Sequence, residues 1–188
     1  MTETDHLRHA VLALLIFLAL PPLAGCADTA NEVLVLRRLM IERLDLMEQV
    51  AAYKWNNKLS IDDPVREANV LKATMARSRA AGLDPKIAQR FIVAQMESAK
   101  TVQRYYFDLW RQQGVAQVTG VSDLVTELRP RIGALSVDLI AAMAEGGSQL
   151  ADCSSTSVLR PVPQELLNVP RAWNIAVDGV LGERRDCP

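Results

Sequence analysis

Beyond residue 30, apolar positions recur at three- and four-residue intervals and almost nowhere alternate. From about Asn31 to Asn57 the residues Leu36, Leu39, Met40, Met47 and Val50 keep that spacing with no glycine or proline between them, which predicts one long first helix. Asp63 followed by Pro64 pairs an N-cap with a proline at the first helical position, and Gly82 stops the run, so a second helix is expected over 64–81. Asp84 and Pro85 repeat the start signal. They open a third helix carrying Ile87, Phe91, Ile92, Met96, Val102 and Tyr106 to near Gln112, followed by GVAQVTG as a connector. A fourth helix is expected from Ser122 or Asp123 to Glu145, ending at Gly146 and Gly147. Pro130 falls inside it, so either the helix bends there or its regular part begins near Arg129. A last helical stretch is expected over about 163–182, with Pro170 inside. No segment has a strand pattern. The fold class is therefore all-α, a bundle of about five to six helices behind a long N-terminal one.

Charge interrupts the apolar stripes. At about 100° per residue, Arg43, Met47, Val50 and Lys54 fall within about 60° of one another on the first helix, which turns two cations toward the interior. On the third helix Gln95, Ala99 and Gln103 form an i, i+4, i+8 row among apolar neighbours. Asp63, Arg66 and Glu67 open the second helix, and Arg129 and Arg131 lie on the fourth. Buried polar groups must be satisfied or neutralised. Several cations facing few acids suggest an anionic ligand. Taken singly, each residue has a plainer role: Asp63 as a cap, Lys54 reaching to solvent with its stem on Trp55, Arg43 paired with Glu42 or Asp45, Gln103 facing water. Tyr105, Tyr106 and Trp110 read as helix-contact residues.

The start of the chain reads as an export signal. A short polar segment with Arg8 precedes VLALLIFLAL, ten apolar residues, and then PPLAGC; that run is too short to span a bilayer and has the length of a signal-peptide core. Residues 1–25 are accordingly set apart from a single domain over 27–188. LAGC also resembles the lipobox of bacterial lipoproteins, which makes Cys26 a lipidation candidate and a new N-terminus. The competing reading is ordinary signal cleavage nearby. Export makes Cys153 and Cys187 a candidate disulfide rather than a metal site, since both histidines, His6 and His9, fall in the signal. Such a bond would stabilise the fold by on the order of 4 kcal/mol through the unfolded chain. At 188 residues with 49% hydrophobic content the chain suits one compact domain. Its net charge of −1, carried by Glu3, Asp5 and Arg8, leaves the remainder neutral, which gives no electrostatic footprint for nucleic acid.

The order ERL (42–44), AAYKW (51–55), IDDPVRE (61–67), QMESAKTVQ (95–103) and LRPRIGAL (128–135), closing on two cysteines, resembles the exported, all-helical class of chorismate mutase, its gamma subclass. The similarity spans about 31–188. It implies a helical domain holding a complete active site in one chain. The implied activity is conversion of chorismate to prephenate, a step toward aromatic amino acids, in the periplasm or outside the cell, with no cofactor and no metal. By resemblance, Arg43 and Arg129 hold substrate carboxylates, with Arg131 in reserve, and Lys54 and Gln103 donate to the ether oxygen. Arg66 supports the carboxylate side, Asp63 meets the ring hydroxyl, and Glu67 assists. Ala99 departs from the pattern: relatives often carry a serine or threonine there. The resemblance allows a homodimer, and a membrane enters only through the signal or a lipid anchor.

Two other classes fit the same residues. One is a binding module that keeps the anion pocket without turnover. The other is a structural helical lipoprotein whose cationic stripe is coincidental.

Overall fold

The computed structural model describes the backbone of residues 25–147 and 149–182, with side chains from Glu32 onward. Residues 1–24 of the expected signal segment 1–25, the Cys26 side chain and Cys187 lie outside the described residues. Among those described, all regular structure is helical.

Helix α1 spans Gly25–Asn56. It begins six residues before the predicted start, since nothing between Cys26 and Asn31 breaks a helix. Helix α2, Pro64–Ala80, starts where Asp63 accepts a hydrogen bond from the Arg66 N–H, and Glu67 reaches back to the Asp63 N–H at 3.1 Å. This reciprocal pair does the work of a capping box, with the returning acid one position later than usual. Helix α3, Pro85–Gln113, is capped by Asp84 and closed by Gly114 in the left-handed conformation, φ 66°.

A five-residue π-helical turn, Leu124–Leu128, precedes α4, Arg129–Gly146. Asp123 caps the turn. Pro130 has no N–H to donate and its ring would crowd the carbonyl one α-helical turn back; the wider turn before it relieves that crowding, so the regular helix starts at Arg129 rather than bending.

The C-terminal region departs from prediction. The expected continuous helix over 163–182 is a 3-10 turn, Gln164–Leu166, and then α6, Pro170–Leu181, with Pro170 in the first helical turn. A 3-10 turn, Gln149–Ala151, and a short helix α5, Cys153–Leu159, precede them unpredicted. Seven residues rich in serine carry no clear apolar period. Tertiary contacts hold them instead: Leu159 is fully buried and its carbonyl accepts from the Trp173 indole at 2.9 Å.

One core runs through the bundle, with α1 at its centre against α3 and α4. A smaller cluster of Ala51, Ala52 and Trp110 joins the end of α1 to α3 and the connector. There Trp55 donates to the Val115 carbonyl at 3.1 Å and Asn56 exchanges two hydrogen bonds with Val118. Tyr106 and Trp110 stack in the same cluster, as helix-contact residues should.

Helix α6 lies close along the far side of α3. A Cβ placed on Gly179 would come 2.3 Å from the Ala94 Cβ and 3.5 Å from the Phe91 backbone. Gly179→Ala should therefore push α6 off α3 and destabilise the fold by about 1–3 kcal/mol, read as a lower urea midpoint. Ala94→Gly in the same chain should recover part of the loss.

Candidate functional site

Helices α1 to α4 enclose a cavity of about 400 Å³, within the size range of small-molecule sites. Arg43, Lys54, Asp63, Arg66, Glu67, Ala99, Gln103 and Arg129 all line it. The two long helices α1 and α3, the Asp-Pro start of α2 and the first turn of α4 together bring these eight to one place. α1 supplies Arg43 and Lys54 about three turns apart, the capped start of α2 supplies Asp63, Arg66 and Glu67, and α4 presents Arg129 in its first turn.

Arg43 is 7% exposed, and its Nη1 donates to the Gln95 carbonyl at 2.9 Å. Its acidic neighbours on α1 do not pair with it; Glu42 pairs with Arg38 instead, at 2.6 Å. Burial pulls the guanidinium well below its ordinary value, down to about 10. Lys54 points into the cavity and donates to the Ile61 carbonyl at 2.7 Å. Burial lowers its pKa; Asp63 opposes the shift, Arg129 adds to it, and Glu67 and Asp62 oppose it further. Arg66 is lowered by burial and then by Arg129. Among the described residues, Arg43, Arg66 and Arg129 have no carboxylate within ion-pair distance. The pocket thus concentrates positive charge, with Arg43 buried, Lys54 and Arg129 half-buried and Arg66 exposed.

Gln103, 4% exposed, bonds its amide nitrogen to the Ala99 carbonyl at 3.1 Å and leaves Oε1 buried without a partner. Its row-mate Gln95 is buried but does not line the cavity. Arg131 points elsewhere, to a separate cleft with Glu42, Asp45 and Asp138.

Sequence reasoning missed Lys100, Met96 and Arg77 as lining residues. The signal for the first two was present: 96, 99, 100 and 103 form one helix face. Lys100 is not a free cation, since its Nζ lies 3.1 Å from Glu67, 3.3 Å from Glu97 and 3.4 Å from Asp62. Burial alone would lower its pKa, but Glu67 and Glu97 outweigh it and raise the value.

This arrangement can bind a small dianion and present hydrogen-bond donors to an oxygen between its charged ends. It contains no activated nucleophile. The profile of the family described as chorismate mutase type II matches residues 34–104. A secreted chorismate mutase of Yersinia pestis is 32% identical over 146 residues, covering 77% of this chain and 74% of that protein. A monofunctional chorismate mutase of Enterobacter agglomerans is 36% identical over 104 residues, covering 55% of this chain and 56% of its own. The crystal structure of chorismate mutase from Burkholderia thailandensis superposes with a TM-score of 0.64 at 29% identity, covering 80% of this chain and 99% of that one.

A buried cation with a depressed pKa costs folding stability in full below about pH 10, and the cost fades as the pH rises toward 12.5. A bound dianion should offset it. A non-reacting dicarboxylate is expected to raise the Tm of the wild type. Arg43→Met should lose most of that rise while melting, unliganded, close to the wild type. A full rise in the variant would show that Arg43 does not meet the anion.

Proposed function

The chain belongs to the chorismate mutase type II family, and on that premise we propose how its pocket carries out the rearrangement. Its substrate is chorismate, a dicarboxylate whose ether C–O bond breaks as a C–C bond forms within the same molecule. No proton, electron or group is exchanged with the protein. Catalysis then consists of holding the reactive conformer and stabilising charge that grows on the ether oxygen. An enhancement at the low end for enzymes, about a millionfold, needs roughly 8 kcal/mol of binding expressed only in the transition state.

The observation that carries the assignment of roles is the set of unpaired cations around one cavity. Arg43 and Arg129 grip the substrate carboxylates, and guanidinium suits them because its fork matches a carboxylate in two parallel bonds. Arg66 supports the same side. Lys54 and Gln103 donate to the ether oxygen, one charged and one neutral, in a site where burial strengthens both. Asp63 accepts from the ring hydroxyl, and Glu67, held by the cap and by Lys100, assists from behind. Ala99 leaves one carboxylate hydrogen bond unmade, worth about 1–3 kcal/mol if nothing replaces it. The arginine of choice on α4 is Arg129; Arg131 faces the other cleft.

The protein is exported, a reading supported by the signal pattern of residues 1–25 and by the secreted relative from Yersinia. Within that reading Cys153 pairs with Cys187 and ties the end of the chain to α5, and Cys26 is the candidate lipid anchor. Mass spectrometry of the mature, unreduced protein tests both at once.

Loss of chorismate absorbance should be fast with the wild type and about a hundred- to a thousandfold slower with Lys54→Ala, still measurably above the uncatalysed rate. The alkaline limb offers a finer test. Lys54 must be protonated to donate, and its pKa lies below 10.5, so kcat should fall on a limb below that value and Lys54→Arg should move the limb upward. Gln103 does not titrate. Gln103→Glu must be protonated to donate, so its activity should decline as the pH rises through the carboxyl pKa; identical profiles for the two proteins would remove Gln103 from the ether oxygen.

A further inference from the structure

The turn between α1 and α2, residues 57–63, is tied to α3 by a cluster of five charges. Asp62 Oδ1 lies 3.2 Å from the Arg104 guanidinium and 3.4 Å from Lys100 Nζ. Lys100 also contacts Glu67 at 3.1 Å and Glu97 at 3.3 Å, and Arg104 reaches Glu97 at 2.7 Å. Isolated exposed pairs of this kind add little stability. Linked together, these charges bind a turn, the start of α2 and the middle of α3 into one geometry.

That geometry bears on Lys54. The residue preceding Asp62 is Ile61, whose carbonyl accepts the Lys54 ammonium at 2.7 Å. The near half of the turn is closed locally: Leu59 N–H bonds to the Lys54 carbonyl at 2.8 Å, and Lys58 sits at φ 54°. The far half has two anchors, the Asp63 cap and Asp62. Asp62 is the one that reaches across to α3.

We propose that Asp62, gripped by Lys100 and Arg104, is a positioning residue for the rearrangement, seating the turn so that the Ile61 carbonyl holds the Lys54 ammonium at the reacting oxygen. The inference rests on the role given to Lys54 above. Lys100 acts in the same way from the other side, fixing Glu67 and with it the first turn of α2. Neither Asp62 nor Arg104 lines the cavity. Releasing the turn leaves Arg43 on α1 and Arg129 on α4, the two arginines that grip the carboxylates, where they are and displaces a group needed in the transition state. The loss falls on kcat rather than on KM.

The experiment measures kcat and KM for Asp62→Ala, Asp62→Glu and Lys100→Met, and repeats Asp62→Ala in a Lys54→Ala background. Asp62 is 55% exposed on a turn, and Lys100→Met keeps the buried stem, so the variants should fold; melting curves check this. Asp62→Ala is expected to lower kcat about tenfold, since small misplacements of a catalytic group cost rate steeply, with KM little changed. Asp62→Glu should recover much of it, and Lys100→Met should lose kcat in the same manner. In the Lys54→Ala background, Asp62→Ala should change the residual rate no further. A wild-type kcat for Asp62→Ala beside a slowed Lys54→Ala overturns the proposal alone. The same fold-loss in both backgrounds makes Asp62 merely structural and also overturns it. Wild-type turnover by Lys54→Ala overturns the role of Lys54, and the positioning role falls with it.

Discussion

A guanidinium shut between helices without a carboxylate beside it is the constraint around which this bundle is arranged. Arg43 has surrendered most of its water and gains one backbone carbonyl in return, a poor exchange for a full charge. The cation is tolerable because it borders a cavity and not solid core. The cavity in turn exists because α2 and α4 stand away from α1 and α3 along Arg66, Ala99, Gly133 and Arg129. Apolar packing elsewhere, from Leu36 to Val50 on α1 and from Ala172 to Leu181 on α6, supplies the stability that leaves this charge uncompensated.

Acidic residues are numerous in the chain, and their placement separates two kinds of cation. Lys100 and Arg104 face Asp62, Glu67 and Glu97 in an ion-paired cluster that reaches the cavity only through Lys100 and Glu67. Among the described residues, no carboxylate comes within ion-pair distance of Arg43, Arg66 or Arg129. The two sets lie within a few turns of each other. One holds the protein together at the pocket rim, and the other is available to a ligand. On the proposed assignment of roles, a substrate with two carboxylates completes the electrostatics of the second set, and binding and catalysis draw on the same imbalance.

Much of this was legible in the sequence wherever the signal was local. The Asp63-Pro64 and Asp84-Pro85 starts placed α2 and α3 within a residue or so, because a cap and a proline act on their own turn. The helical period put Arg43 and Lys54 on one inward face, and both line the cavity. Gln95 shares the row of Ala99 and Gln103 yet misses the cavity, because eight residues are more than two whole turns and the row drifts around a straight helix. Lys100 was overlooked since a charged residue on a half-apolar face reads as solvated; its three carboxylate partners come from 62, 67 and 97, and only the fold assembles them. α5 was invisible for a related reason: its serines carry no period, and Trp173, fourteen residues beyond Leu159, is what gives that helix a place to pack.

The π-helical turn ahead of α4 has a consequence for how the protein can vary. Its wider hydrogen bonding absorbs a shift in helical phase, and Asp123 sets where it starts. The chain arriving from the connector therefore need not match the register of α4. Residues 114–121 can lengthen or shorten without rotating Arg129 away from the cavity, provided that Trp55 and Asn56 still find carbonyls to hold. A connector packed against the end of α1 is in this way insulated from the cavity, and the bundle can accept insertions there that would ruin it one turn later.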